Sequence, residues 1–232
     1  MRAPGDSPIE NKFAVGDGPL VCASAGNFGQ AMAYACRARR RPLIVFAGTS
    51  ANRLKVDRMR AMGADVHLAG VDFDAAKVEA RRFAAAAGLR FVEDGLEAAT
   101  AEGAGTIGLE LSRLELDAVL APLGNGTLLA GVALALRTLS PRMAIAGVQA
   151  AGAPAMTESL RTGKLVSHEH METIADGIGV RIPIPETLAD LQGMTDDLVL
   201  VEERSILAEM RSIYRLAGLV TEPSAAVGVA AL

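Results

Sequence analysis

Short apolar runs rich in β-branched residues alternate with longer runs of helical period along most of the chain. PLVCASAG reads as a strand closing in a small-residue turn, and NFGQAMAYACRARR as the helix after it. PLIVFAG, ADVHLAG and LRFVED are the next strands, separated by helical patterns around SANRLKVDRMRAMGA and FDAAKVEARRFAAAAG. AGTIGLELSRL then reads as helix, LDAVLAPL as buried strand, TLLAGVALALRTL as apolar helix and AIAGVQAAG as strand. Residues 151–185 read as loop with short helices; LVLVEE is a strand, SILAEMRSIYRLAG an amphipathic helix, and TEPSAAVGVAAL helical. In the first block, before about residue 98, each helix is expected to stop near a glycine, where a left-handed residue can close the last turn. Strand and helix alternating at this spacing imply right-handed crossovers and parallel sheets. The expected fold is α/β, with two open twisted, mostly parallel sheets flanked by helices. The expected division is a tail of residues 1–18 and units at 19–97 and 98–232.

Composition narrows this only a little. Half of the 232 residues are apolar, and 27 acidic against 23 basic side chains give a net charge of −4. That balance offers no electrostatic reason for a nucleic-acid or anionic-membrane partner. The one basic cluster, Arg37, Arg39, Arg40 and Arg41, closes a helical pattern and reads as a solvated helix end. The apolar stretch 116–136 contains Asp117, Pro122, Gly124, Asn125 and Gly126, so strand, turn and helix explain it better than a membrane span. Cys22 and Cys36 have no metal or disulfide spacing and read as buried free thiols, which fits a reducing, cytoplasmic setting.

Candidate chemistry sits where strands hand over to helices. Ser24-Ala25-Gly26-Asn27-Phe28-Gly29-Gln30 lies at a strand's carboxyl end, where backbone N–H groups and the helix dipole suit an anion. Asn27 as a plain helix N-cap is the alternative there. Pro122-Leu123-Gly124-Asn125-Gly126-Thr127 is a second such handover, able to nest a phosphate or to be a tight turn only. Ala175-Asp176-Gly177-Ile178-Gly179 and Glu222-Pro223-Ser224 are weaker motifs in connecting segments. His168-x-His170, without a third ligand in view, reads as an exposed pair, and no metal site is expected.

In this order and spacing the motifs resemble the fold-type II pyridoxal-phosphate (PLP) enzymes of the threonine and serine dehydratase group. SAGNFGQAMAYA, EGAGTIGLEL, PLGNGTLLAG, IADGIGV and VTEPSAAVGVAAL carry the resemblance. It implies a tryptophan synthase beta-like fold, with the asparagine loop on a small domain and the phosphate loop on an incomplete large one. It also implies PLP as cofactor, a small amino-acid substrate and a lyase reaction releasing ammonia. By the resemblance, Asn27 holds the cofactor's phenolic oxygen, and the amides of Gly124, Asn125, Gly126 and Thr127 cradle its phosphate. Gly177 lines the ring, while Ser24, Ala25, Gly26 and Phe28 surround the substrate carboxylate.

Departures from the family pattern qualify that picture. The family's Schiff-base lysine segment, Ser-x-Lys-x-Arg-Gly-Ala, is not found, and neither is the segment that contacts the pyridine nitrogen. No catalytic residue is therefore assigned, the chain is expected to be truncated at both ends and impaired, and apolar surface left uncovered would favour a homo-oligomer. Lys12, Lys55, Lys77 and Lys164 all read as surface lysines. Ala25 stands where racemases carry a serine, and a methyl group cannot transfer a proton. Gln149, Ala150 and Ala151 stand where some members carry cation-binding acids. Phe28 replaces a frequent histidine. The alternatives are a non-catalytic module binding PLP or phosphate, or another type II reaction such as β-replacement or diaminopropionate elimination.

Overall fold

The computed structural model describes residues 18–232 and divides into two compact units, one through Val92 and the other from Glu93 onward. In the first unit four parallel strands, β1 (Leu20–Ala23), β2 (Leu43–Ala47), β3 (Asp65–Leu68) and β4 (Arg90–Val92), lie in the order β3-β2-β1-β4. Helices α1 (Asn27–Ala38), α2 (Arg53–Ala61) and α3 (Phe73–Ala87) connect them. The alternation of β1 explains why both faces are covered. Leu20 and Cys22 point into one core with Ala33 and Cys36 of α1 and Val56 and Met59 of α2. Val21 and Ala23 point into another with Ala76, Ala80 and Ala84 of α3. That alanine stripe at every fourth residue lets α3 lie close on the sheet.

In the second unit β5 (Ala118–Pro122), β6 (Ala144–Ala150) and β7 (Asp197–Val201) form a parallel sheet in that order. Its helices are α4 (Ala98–Leu111), α5 (Thr127–Leu139), α6 (Ala155–Thr162), α7 (Pro185–Leu191), α8 (Glu203–Ala217) and α9 (Pro223–Ala230). One core gathers Leu123, Leu129, Leu136, Ile145, Met156 and Leu191. The other face of β6 packs Val148 and Ala150 with Val201, Ile206, Ala226 and Val227. Fully burying each such aliphatic side chain stabilises by about 1.5–3 kcal/mol. Helices α4 and α5 touch through small residues, so a side chain at Gly131 would collide with the backbone of Ala101. The stretch 116–136 resolves into β5, a turn and α5, and among the described residues no helix is long and apolar enough to cross a membrane.

Two expectations need correction. Helix α1 stops without a glycine: Arg40 itself takes a positive φ of 53°, and the Arg41 N–H reaches back to the Cys36 carbonyl at 2.8 Å. A left-handed residue other than glycine costs about 1–2 kcal/mol, which the recovered carbonyl contact offsets in part. The arginines around it lie at the solvated helix end, as expected. Lys55 and Lys77 are buried rather than on the surface. Lys77 Nζ pairs with Asp74 Oδ1 at 3.5 Å and lies 5.2 Å from the Phe73 ring centre, so its stem packs while its charge keeps partners. Lys164 is exposed, and Lys12 lies outside the described residues. Cys22 and Cys36 are free and buried, as their isolation in the sequence implied.

Candidate active site

The asparagine loop forms at the carboxyl end of β1. The Ser24 N–H donates to the Phe46 carbonyl at 2.9 Å, extending the sheet by one bond before the chain turns. The Ser24 side chain is buried, and its oxygen accepts the N–H of Gly26 at 3.2 Å and of Gly29 at 2.9 Å. Ser24 therefore satisfies the start of α1. Asn27 is not its N-cap: Gly26 holds that position without a side-chain cap, and Asn27 is the first helical residue. Asn27 is exposed, and its Oδ1 accepts from Gln30 Nε2 at 3.2 Å. Ala25, Gly26 and Phe28 are half-buried, with the Phe28 ring packed against the Cys22 core.

The glycine-rich loop forms at the carboxyl end of β5, anchored by the Leu123 N–H on the Val148 carbonyl at 2.8 Å. A Cβ at Gly124 would lie 3.0 Å from Ile178 Cα. Gly126 has a φ of 104°, and a Cβ there would lie 2.7 Å from both Leu191 and Thr187. Both the left-handed turn and the close approach thus require glycine at 126. Gly126 is also the N-cap of α5, with no side-chain cap. The loop's polar side chains are nearly sealed from water. Thr127 is 5 % exposed and Asn125 9 %. The Thr127 hydroxyl has no hydrogen-bond partner, nor has Asn125 Oδ1, although Asn125 Nδ2 donates to the Asp94 carbonyl at 2.7 Å.

The two weaker motifs come together beside this loop. Residues Asp176–Ile178 form one 3-10 turn, and the Gly177 N–H donates to Ser224 Oγ at 3.1 Å. A Cβ at Gly177 would lie 2.8 Å from that oxygen. Gly124 touches Ile178, Gly177 touches Ser224, and so GNGT, ADGIG and EPS converge within one unit. Ser224 was given no role of its own. The Glu-Pro-Ser turn was its only signal, with proline and serine at the start of a helix. Nothing in the sequence marked Asp94, Gly95 or Thr187 as neighbours of the loop. Gln149 is fully buried and its Oε1 accepts the Thr157 N–H at 2.9 Å, serving the first turn of α6. His168 Nε2 lies 2.7 Å from Glu158 Oε2. Among the described residues no three His, Cys, Asp or Glu side chains are grouped to hold a metal.

Residues 9–232 match the model of the family described as pyridoxal-phosphate dependent enzyme. The chain belongs to that family. Its curated relatives include the biosynthetic L-threonine dehydratase IlvA of Halalkalibacterium halodurans, 33 % identical over 92 % of this chain and 53 % of the relative. An L-threonine ammonia-lyase of Geobacter sulfurreducens is 36 % identical, over 92 % of this chain and 54 % of its own length. Among solved structures, the processed threonine deaminase isoform 2 of Solanum lycopersicum superposes with a TM-score of 0.85 at 35 % identity, covering 93 % of this chain and 60 % of that one. The chain thus spans about half the length of these two curated relatives. The fold is that of the type II PLP enzymes, as the motif order implied.

The family's cofactor is pyridoxal 5′-phosphate, and the glycine-rich loop fits its phosphate. A helix start without a side-chain cap and a buried hydroxyl without a partner are together what a phosphate would complete.

Proposed function

We propose that this protein is a PLP-dependent ammonia-lyase acting on L-threonine or L-serine to give a 2-oxo acid and ammonia. Thr127 carries the cofactor half of this reading. Its hydroxyl is buried without a partner in the first turn of α5, and an unmet buried polar group costs about 1–3 kcal/mol. A phosphate oxygen accepting from it removes that cost. The substrate half rests on relatives named for threonine.

In this reading the amides of Gly124, Asn125, Gly126 and Thr127 hold the phosphate, and the Gly177 backbone lines the ring. The Asn27 amide orients the ring through its phenolic oxygen. Ser24 and the backbone of Ala25, Gly26 and Phe28 receive the substrate carboxylate. Bound there, the cofactor supplies an electron sink for the α-carbon. Loss of the α-proton and of the β-hydroxyl as water leaves an enamine. Its imine tautomer takes up one water and gives 2-oxobutanoate from threonine, with ammonia released. Ala25 offers no proton to the opposite face, which favours elimination over racemisation.

A second reading has one observation in its favour. None of the described lysines lies in the three segments assigned to cofactor and substrate: Lys55 and Lys77 are buried on α2 and α3, and Lys164 is exposed. We therefore propose that these 232 residues assayed alone bind the phosphate but turn substrate over poorly. The test is to incubate the chain with PLP and L-threonine, following 2-oxobutanoate and the absorbance before and after borohydride. Binding with background turnover is expected. An ordinary rate overturns the impairment, and failure to bind PLP overturns the cofactor reading.

A further inference from the structure

The phosphate loop is braced by a turn that the proposed function does not use. Gly95 has a φ of 102°, and a Cβ there would lie 2.5 Å from Asn125 Nδ2 and 2.7 Å from Thr187 Oγ1. Two side chains thus close on one turn. Asn125 Nδ2 donates to the Asp94 carbonyl at 2.7 Å, and Thr187 Oγ1 donates to the Gly95 carbonyl at 3.3 Å. The Asp94 carbonyl can only accept, so it fixes which end of the Asn125 amide faces it.

Apolar packing supports the loop from one side, where Gly126 meets Leu191 and the Thr187 methyl. Elsewhere it borders a cavity of about 160 Å³ lined by Gly95, Glu97, Thr127, Glu186, Thr187 and Asp190. No packed side chain fills that space, and a loop that relaxed into it would approach three carboxylates that repel a phosphate. On that side the tie from Asn125 to the Asp94 carbonyl is the loop's polar support.

Resting on the PLP reading, we infer that Asn125 directly, and Thr187 through α7 and its methyl contact with Gly126, are positioning residues that tie the phosphate loop to the Asp94–Gly95 turn and hold its amides in register for a phosphate monoester. Asn125 acts through its side-chain amide, apart from any contact its backbone makes. Removing either hydrogen bond loosens the cradle without touching the ligand's ring.

The test compares pyridoxamine 5′-phosphate with pyridoxamine. Neither can form a Schiff base, so calorimetry on the full chain reads the cradle alone. Asn125→Ala and Thr187→Val are each expected to weaken the phosphorylated ligand about tenfold, the equivalent of one modest hydrogen bond, and to leave pyridoxamine unchanged. Asn125→Asp, which turns an oxygen toward the Asp94 carbonyl, is expected to be worse than alanine. Thr187→Ser keeps the donor but loses the methyl against Gly126, and is expected to bind the phosphorylated ligand more tightly than Thr187→Val. Melting temperatures of all four show whether each is folded, and Thr187→Val stands in should Asn125→Ala fail to fold. Unchanged affinity in both Asn125→Ala and Thr187→Val, or equal losses for the two ligands, overturns the clamp. A wild-type chain that binds neither ligand overturns the PLP reading and the clamp with it.

Discussion

Gly177 gives its backbone N–H to the hydroxyl of Ser224, 47 positions further along the chain, at 3.1 Å. The bond exists because position 177 has no side chain. A methyl group there would stand 2.8 Å from the oxygen it must reach. A glycine on one motif and a serine on another are thus halves of one contact, and the 3-10 turn it holds touches the glycine-rich loop through Ile178 and Gly124.

Gly177→Ala is accordingly expected to destabilise the chain by about 1–3 kcal/mol, as forced overpacking does. Denaturant unfolding measures it. Pairing it with Ser224→Ala, which removes the crowding oxygen, should recover part of the loss. Strictly additive losses would mean that the two residues do not act on each other.

Asp196 should contribute to acid stability. Arg137 Nη2 donates to it at 2.7 Å and the Ile145 N–H at 2.7 Å, and these hold its carboxyl below the ordinary range. A depressed folded pKa adds stability that is present above the unfolded value, about 4, and is lost as pH falls through the folded one. The stability gap between wild type and Asp196→Asn is therefore expected to narrow below about pH 4. A gap constant from pH 7 to pH 3 would show that the carboxylate's charge is not involved.

Cys22 should be inert while the protein is folded. Burial, with a smaller contribution from Cys36, pushes its thiol up to about 12. Iodoacetamide at pH 8 is expected to leave Cys22 unmodified in the native chain and to label it in urea, read by peptide mass. Because the folded value is raised, the stability it contributes is fully present below the ordinary thiol range and is lost as pH climbs from 9 toward 12. Native labelling at the urea rate would contradict its burial.

Much of the architecture was legible in the sequence because the local signals agreed with one another. The strands read from PLVCASAG, PLIVFAG and AIAGVQAAG all form, and TLLAGVALALRTL becomes α5. The glycine turn was legible because the left-handed backbone at 126 and the close approach of 124 to Ile178 each demand glycine. The buried lysines were not. A lysine in a helical pattern reads as surface until the fold supplies a partner such as Asp74, or a ring such as Phe73. The hydrogen bond from Asn125 to the Asp94 carbonyl was hidden for another reason. Asn125 finds its acceptor 31 residues away on a main-chain carbonyl, a group that every residue possesses. Asn27 looked like a helix cap because its residue type favours one. Ser24, three positions earlier, took that work through a fold-back that periodicity does not reveal.

That fold-back has a chemical outcome for Ser24. A hydroxyl oxygen has two lone pairs, and both are committed to the main chain at Gly26 and Gly29. What remains is a single hydrogen to give away. The group can greet an incoming anion and has nothing left to offer a cation, so the sign of charge welcomed at that turn is written into its wiring before any ligand arrives.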